Sequence, residues 1–209
     1  MLEAIRQAVL AGDIDQAASL TEEAISKGVV ASEILNEALT PAMDIVGQEY
    51  EEGVRFVPEM LISAEAMKVS LAKLKPLLAD AGVEPRGRVV FGTVEGDLHD
   101  IGKQLVAMML EGAGFEVFDM GVDVTADAFL EAVKSRRPNI VAMSALLTTT
   151  MAHMSEVIEA LEDAGLREET KVIVGGAPVT QEYADKIGAD GYSPDAASAV
   201  RLAIELRGT

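Results

Sequence analysis

Residues 96–103 read GDLHDIGK and set one of the chain's two histidines between two aspartates, with glycine on either side. A histidine in such a loop can bind a metal or carry a proton. An aspartate two residues earlier can accept one ring proton, which fixes the tautomer and makes the other nitrogen more basic. Several chemistries compete for His99. A solvated surface-loop histidine with no role fits the glycine and aspartate content. A phosphate loop does not, because GDLHDIGK lacks the P-loop spacing and puts Asp97 and Asp100 where phosphate oxygens would lie. A protein-only zinc or iron centre needs three or four ligands. Asp97, His99 and Asp100 share one short loop, and the second histidine, His153, falls one turn into a predicted helix among methionines. A Ser-His-Asp hydrolase would need a GxSxG elbow, which the sequence lacks. Beside the plain loop there remains a histidine oriented by Asp97 and free to offer its other nitrogen to a metal already caged by a cofactor.

The elements that must position this loop come in two halves. Residues 1–80 show helical spacing throughout. Leu2, Ile5, Val9 and Leu10 form a first apolar stripe, and Ile14 to Ile25 a second that Gly28 stops. Ser32 is the expected cap of a third helix with a kink at Pro41, and Pro58 suits the first turn of a fourth. A four-helix bundle is the expected result. The stretch 81–87 reads as a linker, with Gly, Pro and charge. From residue 88 to 209, short apolar strands alternate with helices, the pattern of a parallel sheet covered on both faces. The expected strands are 88–92, 116–121, 139–145, 171–176 and 191–193. The helices are expected near 101–113, 126–136, 151–164, 180–187 and 195–207.

Five strands fit a flavodoxin-like (Rossmann-like) α/β domain. In such sheets ligands bind beyond the carboxyl ends of the strands, where the strand order reverses. With the order 2-1-3-4-5, the loops GTVEGDLHDIGK, SALLTTT and GGAP converge there, bringing a histidine, a row of hydroxyls and backbone open to close approach.

Composition narrows the partners. With 17 basic and 35 acidic residues the net charge is −18, which argues against nucleic acid and anionic lipid and toward proteins or small molecules. The absence of cysteine excludes disulfides, thiolate metal sites and cysteine nucleophiles. No apolar run approaches a membrane span, and the opening residues lack a cationic, apolar leader, so a cytoplasmic protein is expected.

Asp97-Leu98-His99-Asp100-Ile101-Gly102 has the D-x-H-x-x-G form and resembles the cobalamin-binding domain of methionine synthase, B12-dependent mutases and the corrinoid proteins of anaerobic methyltransferase systems. Ser144-Ala145-Leu146-Leu147-Thr148 resembles that family's S-x-L segment, and Gly175-Gly176 its glycine pair after the fourth strand. Tyr50 and GVRFVPEMLISAEAMK at 53–68 resemble the helical cap of the methyltransferase branch.

The resemblance implies a corrinoid bound with its own lower base displaced and His99 as axial ligand to cobalt, cycling between cob(I)alamin and methylcob(III)alamin. It further implies that Asp97 accepts the other imidazole proton and that Thr150 completes a relay. Asp100 and Ile101 would border the cofactor. Gly102, Gly175 and Gly176 would line the slot for the displaced nucleotide tail, with Ser144, Leu146 and Thr148 against it. Tyr50, Phe56, Val57 and Met60 would shield the upper corrin face, although each also reads as bundle core.

The implied role is a methyl shuttle in one-carbon metabolism. It accepts a methyl group from a substrate-specific methyltransferase and yields it to a pterin of the tetrahydrofolate type, or to a thiol, through an acceptor methyltransferase. A corrinoid reactivation protein is a further partner. The chain has no room for a catalytic barrel, which alone takes about 250 residues. The linker would serve as a hinge. A cobalamin-dependent regulator would call for basic DNA-binding helices, which the sequence lacks, and a mutase subunit usually lacks the helical cap.

Overall fold

The computed structural model describes residues 1–208. It divides into two compact units, Met1–Pro85 together with Glu111–Gly114, and Arg86–Leu110 with the chain from Phe115 onward.

The first unit is helical. α1 (Leu2–Ala11) stops where Gly12 turns left-handed, and the next residue, Asp13, accepts the Gln16 N–H at 3.0 Å to cap α2 (Ile14–Ser26). Ile5, Ala8 and Val9 on α1 and Ala17, Thr21 and Ala24 on α2 are the buried stripes. α3 (Ala31–Ile34) leads through a π-helical turn, Leu35–Leu39, into α4 (Thr40–Glu51), and α5 spans Val57–Asp80. Counting α3 to α4 as one interrupted helix gives the four-helix arrangement that the periodicity predicts.

Two local expectations are corrected. Val30, not Ser32, stands at the helix N-terminus, where no side chain caps the first turn. At Pro41 the chain widens rather than simply kinks: Thr40 N–H reaches the carbonyl of Leu35, five residues back, before the proline enters the first turn of α4. Proline has no N–H and crowds the carbonyl four residues behind it, so one wide turn just ahead of it relieves that conflict.

The second unit holds five parallel strands in the order β2-β1-β3-β4-β5. They are β1 (Arg88–Thr93), β2 (Glu116–Asp119), β3 (Ile140–Ser144), β4 (Lys171–Gly175) and β5 (Gly191–Ser193). The connecting helices are α6 (Ile101–Gly112), α7 (Ala126–Arg136), α8 (Ala152–Asp163) and α9 (Gln181–Ile187), and α10 (Ala196–Arg207) follows β5. The central strands are buried along nearly their whole length, as a sheet covered on both faces requires. Thr125, Thr180 and Asp195 cap α7, α9 and α10 through side-chain oxygens.

β2 ends two residues before its expected limit at 121. Beyond Asp119 the pairing with β1 continues as single bonds, Met120 N–H to Phe91 O at 2.8 Å and Thr93 N–H to Gly121 O at 3.0 Å. The chain is already turning there to meet the loop that follows β1.

Candidate functional site

The strand register builds the floor of the site. Thr93 is paired with Ser144, Ser144 with Gly175 and Gly175 with Ser193, so the carboxyl ends of four neighbouring strands form one row of small residues. Short side chains at that edge leave the space above it to the loops. Thr93 and Ser144 share a hydrogen bond at 2.9 Å, and the Thr93 hydroxyl also lies 2.9 Å from the carbonyl of His99, tying the histidine loop to the strand beneath it.

Asp97 is the centre of the loop, with a side chain that is 0% exposed. Its Oδ1 accepts the His99 ring at Nδ1 (2.7 Å) and the His99 backbone N–H (3.1 Å). Its Oδ2 faces the N–H groups of Leu146 (2.7 Å) and Leu147 (3.2 Å) and the Thr150 hydroxyl (2.9 Å). That hydroxyl is equally close to the Leu147 carbonyl, so its single proton is shared. Burial alone would raise the Asp97 pKa. The Leu146 N–H, the His99 ring, the His99 N–H and the Thr150 hydroxyl outweigh it and hold the carboxyl well below the ordinary range.

This sets a pH dependence. A carboxylate whose folded pKa is depressed adds stability that is complete above its unfolded pKa of about 3.9 and is lost as pH falls through the lower folded value. The stability gap between the apo wild type and Asp97→Asn should therefore stay level from neutral pH down to about 5 and close only below about 4. Urea unfolding at a series of pH values reads this directly; a gap that closes between pH 7 and 5 would contradict it.

The Asp97 carboxylate fixes the proton of His99 on Nδ1 and leaves Nε2 with its lone pair. The ring is 52% exposed, and Nε2 has no hydrogen-bond partner among the described residues. Around it lies an apolar surface: Leu98 and Ile101 are 72% and 88% exposed, and Leu146 and Leu147 are also exposed. An imidazole nitrogen without a hydrogen-bond partner amid uncovered leucine and isoleucine suits a flat, largely apolar group that carries its own metal. It suits a hydrated ion held by protein ligands poorly.

Glycines mark two further edges. A Cβ on Gly176, whose φ is 125°, would stand 1.9 Å from the Ala145 carbonyl oxygen, so only glycine fits against the S-x-L segment. A Cβ on Gly102 would meet nothing within 4 Å, so neither neighbouring protein atoms nor a positive φ demands glycine there. That open space at the start of α6 is on the same loop as His99.

Asp97, His99, Ser144, Leu146, Thr150, Gly175 and Gly176 thus come together at the strand ends. Thr148 is exposed in the same loop as Thr150, and Asp100 bonds to Gln104 at 2.8 Å on α6. Within the helical unit Phe56 and Val57 are exposed, Tyr50 is half-buried and Met60 is fully buried, so Met60 is bundle core as it stands. His153 groups with Glu95 and Glu156, their ligand atoms lying within 4.8 Å of one another, and its Nδ1 is already bonded to Glu156 at 2.8 Å.

Sequence reasoning missed the backbone donors of Leu146 and Leu147, which have no side-chain signature. It also missed Lys103. The signal was present there, since Lys103 shares the 103, 107, 110 helical stripe with buried Ala107 and Leu110, where a solvated lysine does not belong.

Residues 87–201 match the B12 binding domain family, and residues 1–75 match a second family also described as a B12 binding domain. A corrinoid protein of Desulfitobacterium hafniense (strain Y51) is 41% identical over 211 residues, covering 100% of this chain and 98% of that protein. Trimethylamine corrinoid protein 1 of Methanosarcina acetivorans is 44% identical over 197 residues, covering 93% of this chain and 91% of that protein. Among solved structures, a cobalamin-binding protein from Desulfitobacterium hafniense DCB-2 superposes with a TM-score of 0.81 at 35% identity, over 99% of this chain and 98% of that one. A chain of the methanol:cobalamin methyltransferase complex from Methanosarcina barkeri gives 0.87 at 32% identity, over 100% of this chain and 80% of that one.

Proposed function

The chain belongs to the B12-binding family, and from that premise we propose that it is the corrinoid-carrying subunit of a methyltransferase system. The observation that carries this reading is the His99 loop: a half-exposed imidazole tied to a buried carboxylate through Nδ1, its Nε2 without a hydrogen-bond partner among the described residues, beside exposed apolar side chains.

Bound there, a corrinoid would supply the methyl-carrying chemistry at its cobalt, accepting the group from a substrate-specific methyltransferase and yielding it through a second one to a tetrahydrofolate-type pterin or a thiol. The chain's own residues hold and orient. His99 would hold the corrinoid's cobalt through Nε2, and Asp97 would keep the Nδ1 proton in place. Ser144, Thr148, Gly175 and Gly176 would border the nucleotide tail. A corrinoid reactivation protein completes the set of partners. The relatives named for trimethylamine, and the structural neighbour named for methanol, support a small one-carbon donor.

Gly102 separates this reading from a plain α/β module. Gly102→Leu should leave apo stability unchanged or slightly raised, since the added side chain enters open space and helix propensity improves by about 1 kcal/mol. Retained corrinoid should nevertheless fall severalfold, as measured by cobalt content after gel filtration. Equal retention would remove Gly102 from the cofactor site.

The function itself is tested by reducing the corrinoid-loaded chain and offering methanol or a methylamine with the cognate methyltransferase. The absorbance of the methylated cofactor should appear with one donor. No corrinoid retention, or no methylation with any one-carbon donor, would contradict the proposal.

A further inference from the structure

The loop after β2 grips the histidine loop at both ends. Before His99, the Gly96 N–H donates to Asp123 Oδ1 at 2.7 Å, and the Asp123 N–H donates to the Asp97 carbonyl at 3.0 Å. After His99, the Lys103 ammonium meets Asp119 Oδ1, which also accepts the Gly121 N–H at 2.9 Å. Residues 98–102, which carry the histidine and its exposed apolar neighbours, lie between the two grips. A parallel bridge from Val94 to Val124 joins the same two segments.

Neither grip is a conformational default. The Lys103 side chain is 1% exposed, and a buried ammonium persists only with a partner. Asp123 has a φ of 56°, in the left-handed region that is uncommon for any residue with a Cβ, though least costly for asparagine and aspartate. Both features are explained if this segment must hold the histidine loop at a fixed height. Asp119 closes β2 and Asp123 follows four residues later, so one short segment carries both grips.

We propose that residues 119–124 form a clamp that sets how far His99 Nε2 extends toward the corrinoid cobalt, with Asp123 and Lys103 as positioning residues. The proposal rests on the corrinoid reading above. Metal ligands depend on the groups that orient them, and loss of such a group commonly weakens ligation about tenfold or more.

Three variants of the full chain, loaded with hydroxocobalamin and reduced to Co(II), test the clamp. Asp123→Gly permits the left-handed backbone but removes the acceptor, whereas Asp123→Asn keeps both. Lys103→Met removes the ammonium and leaves Asp119, already 40% exposed, to water. The readout is the ratio of histidine-ligated to histidine-free cobalt, taken from nitrogen splitting in the electron paramagnetic resonance spectrum, beside corrinoid content and the apo unfolding midpoint.

Asp123→Gly and Lys103→Met should lower the ratio about tenfold while corrinoid content holds, and Asp123→Asn should stay within about twofold of wild type. Wild-type ratios in the Gly and Met variants would overturn the clamp, as would losses that merely follow the unfolding midpoint and are equal in the Gly and Asn variants. If Lys103→Met does not fold, the Asp123→Gly and Asp123→Asn pair carries the test, and equal ratios in those two variants overturn the clamp. A wild type that retains corrinoid without a histidine nitrogen on cobalt overturns the ligation reading and the clamp together.

Discussion

Replacing His99 with alanine is expected to leave the apo protein folded and to remove the histidine-ligated state of the bound corrinoid. The imidazole is half exposed, and its one hydrogen bond runs to an Asp97 oxygen that keeps the His99 backbone N–H as a donor. Loss of that single bond should cost about 1 kcal/mol of stability. Ligation depends on the ring alone, so corrinoid affinity should fall at least about a hundredfold, beyond what loss of an orienting partner costs. Thermal unfolding, cobalt content and the visible spectrum of one preparation separate the two effects. A variant that keeps the wild-type spectrum would show that His99 does not touch the metal.

Asp97→Ala should behave differently, damaging fold and ligation together. The carboxylate is buried and satisfies donors from three places in the chain: the ring and N–H of His99, the N–H groups of Leu146 and Leu147, and the Thr150 hydroxyl. Removing it leaves two turns of backbone without their acceptor, and breaking a buried charged network of this kind costs about 3–5 kcal/mol. Asparagine is a poor substitute, since its NH2 group would face donors on one side. The expected result is a lower urea midpoint with an unchanged slope, together with loss of the histidine-ligated spectrum. A stability loss below about 1 kcal/mol would mean that the donors find other partners and that Asp97 is not the centre of the site.

The contrast between these two variants follows from what each residue touches, and the same distinction governs what could be read in the sequence. Apolar runs bounded by glycine and proline placed the strands of the sheet within two residues of their observed ends, because burial on both faces leaves a continuous signal. The strand order brought His99, Ser144 and Gly175 to one edge, as the structure shows. Asp97 and His99 were legible as a pair because two residues of separation allow little else.

Other features depend on information that side-chain types do not carry. The Leu146 and Leu147 N–H groups are backbone donors, and any residue but proline would supply them. The wide turn before Pro41 and the uncapped start at Val30 are local compromises set by packing of the helical unit. Phe56 and Met60 read alike as apolar positions, yet one is exposed and the other is core, which depends on the face of α5 that the bundle covers. The left-handed backbone of Asp123 is visible only in the structure.

The most direct measurement of the central claim is the electron paramagnetic resonance spectrum of the Co(II) corrinoid form, prepared once with ordinary protein and once with protein carrying 15N-histidine. With His99 as the axial ligand, each cobalt line should show a nitrogen triplet in the first sample and a doublet in the second, and both patterns should vanish in His99→Ala. A triplet that persists in the labelled protein would assign the nitrogen to the cofactor's own base, and the account of this site as a histidine-ligated methyl carrier would be wrong.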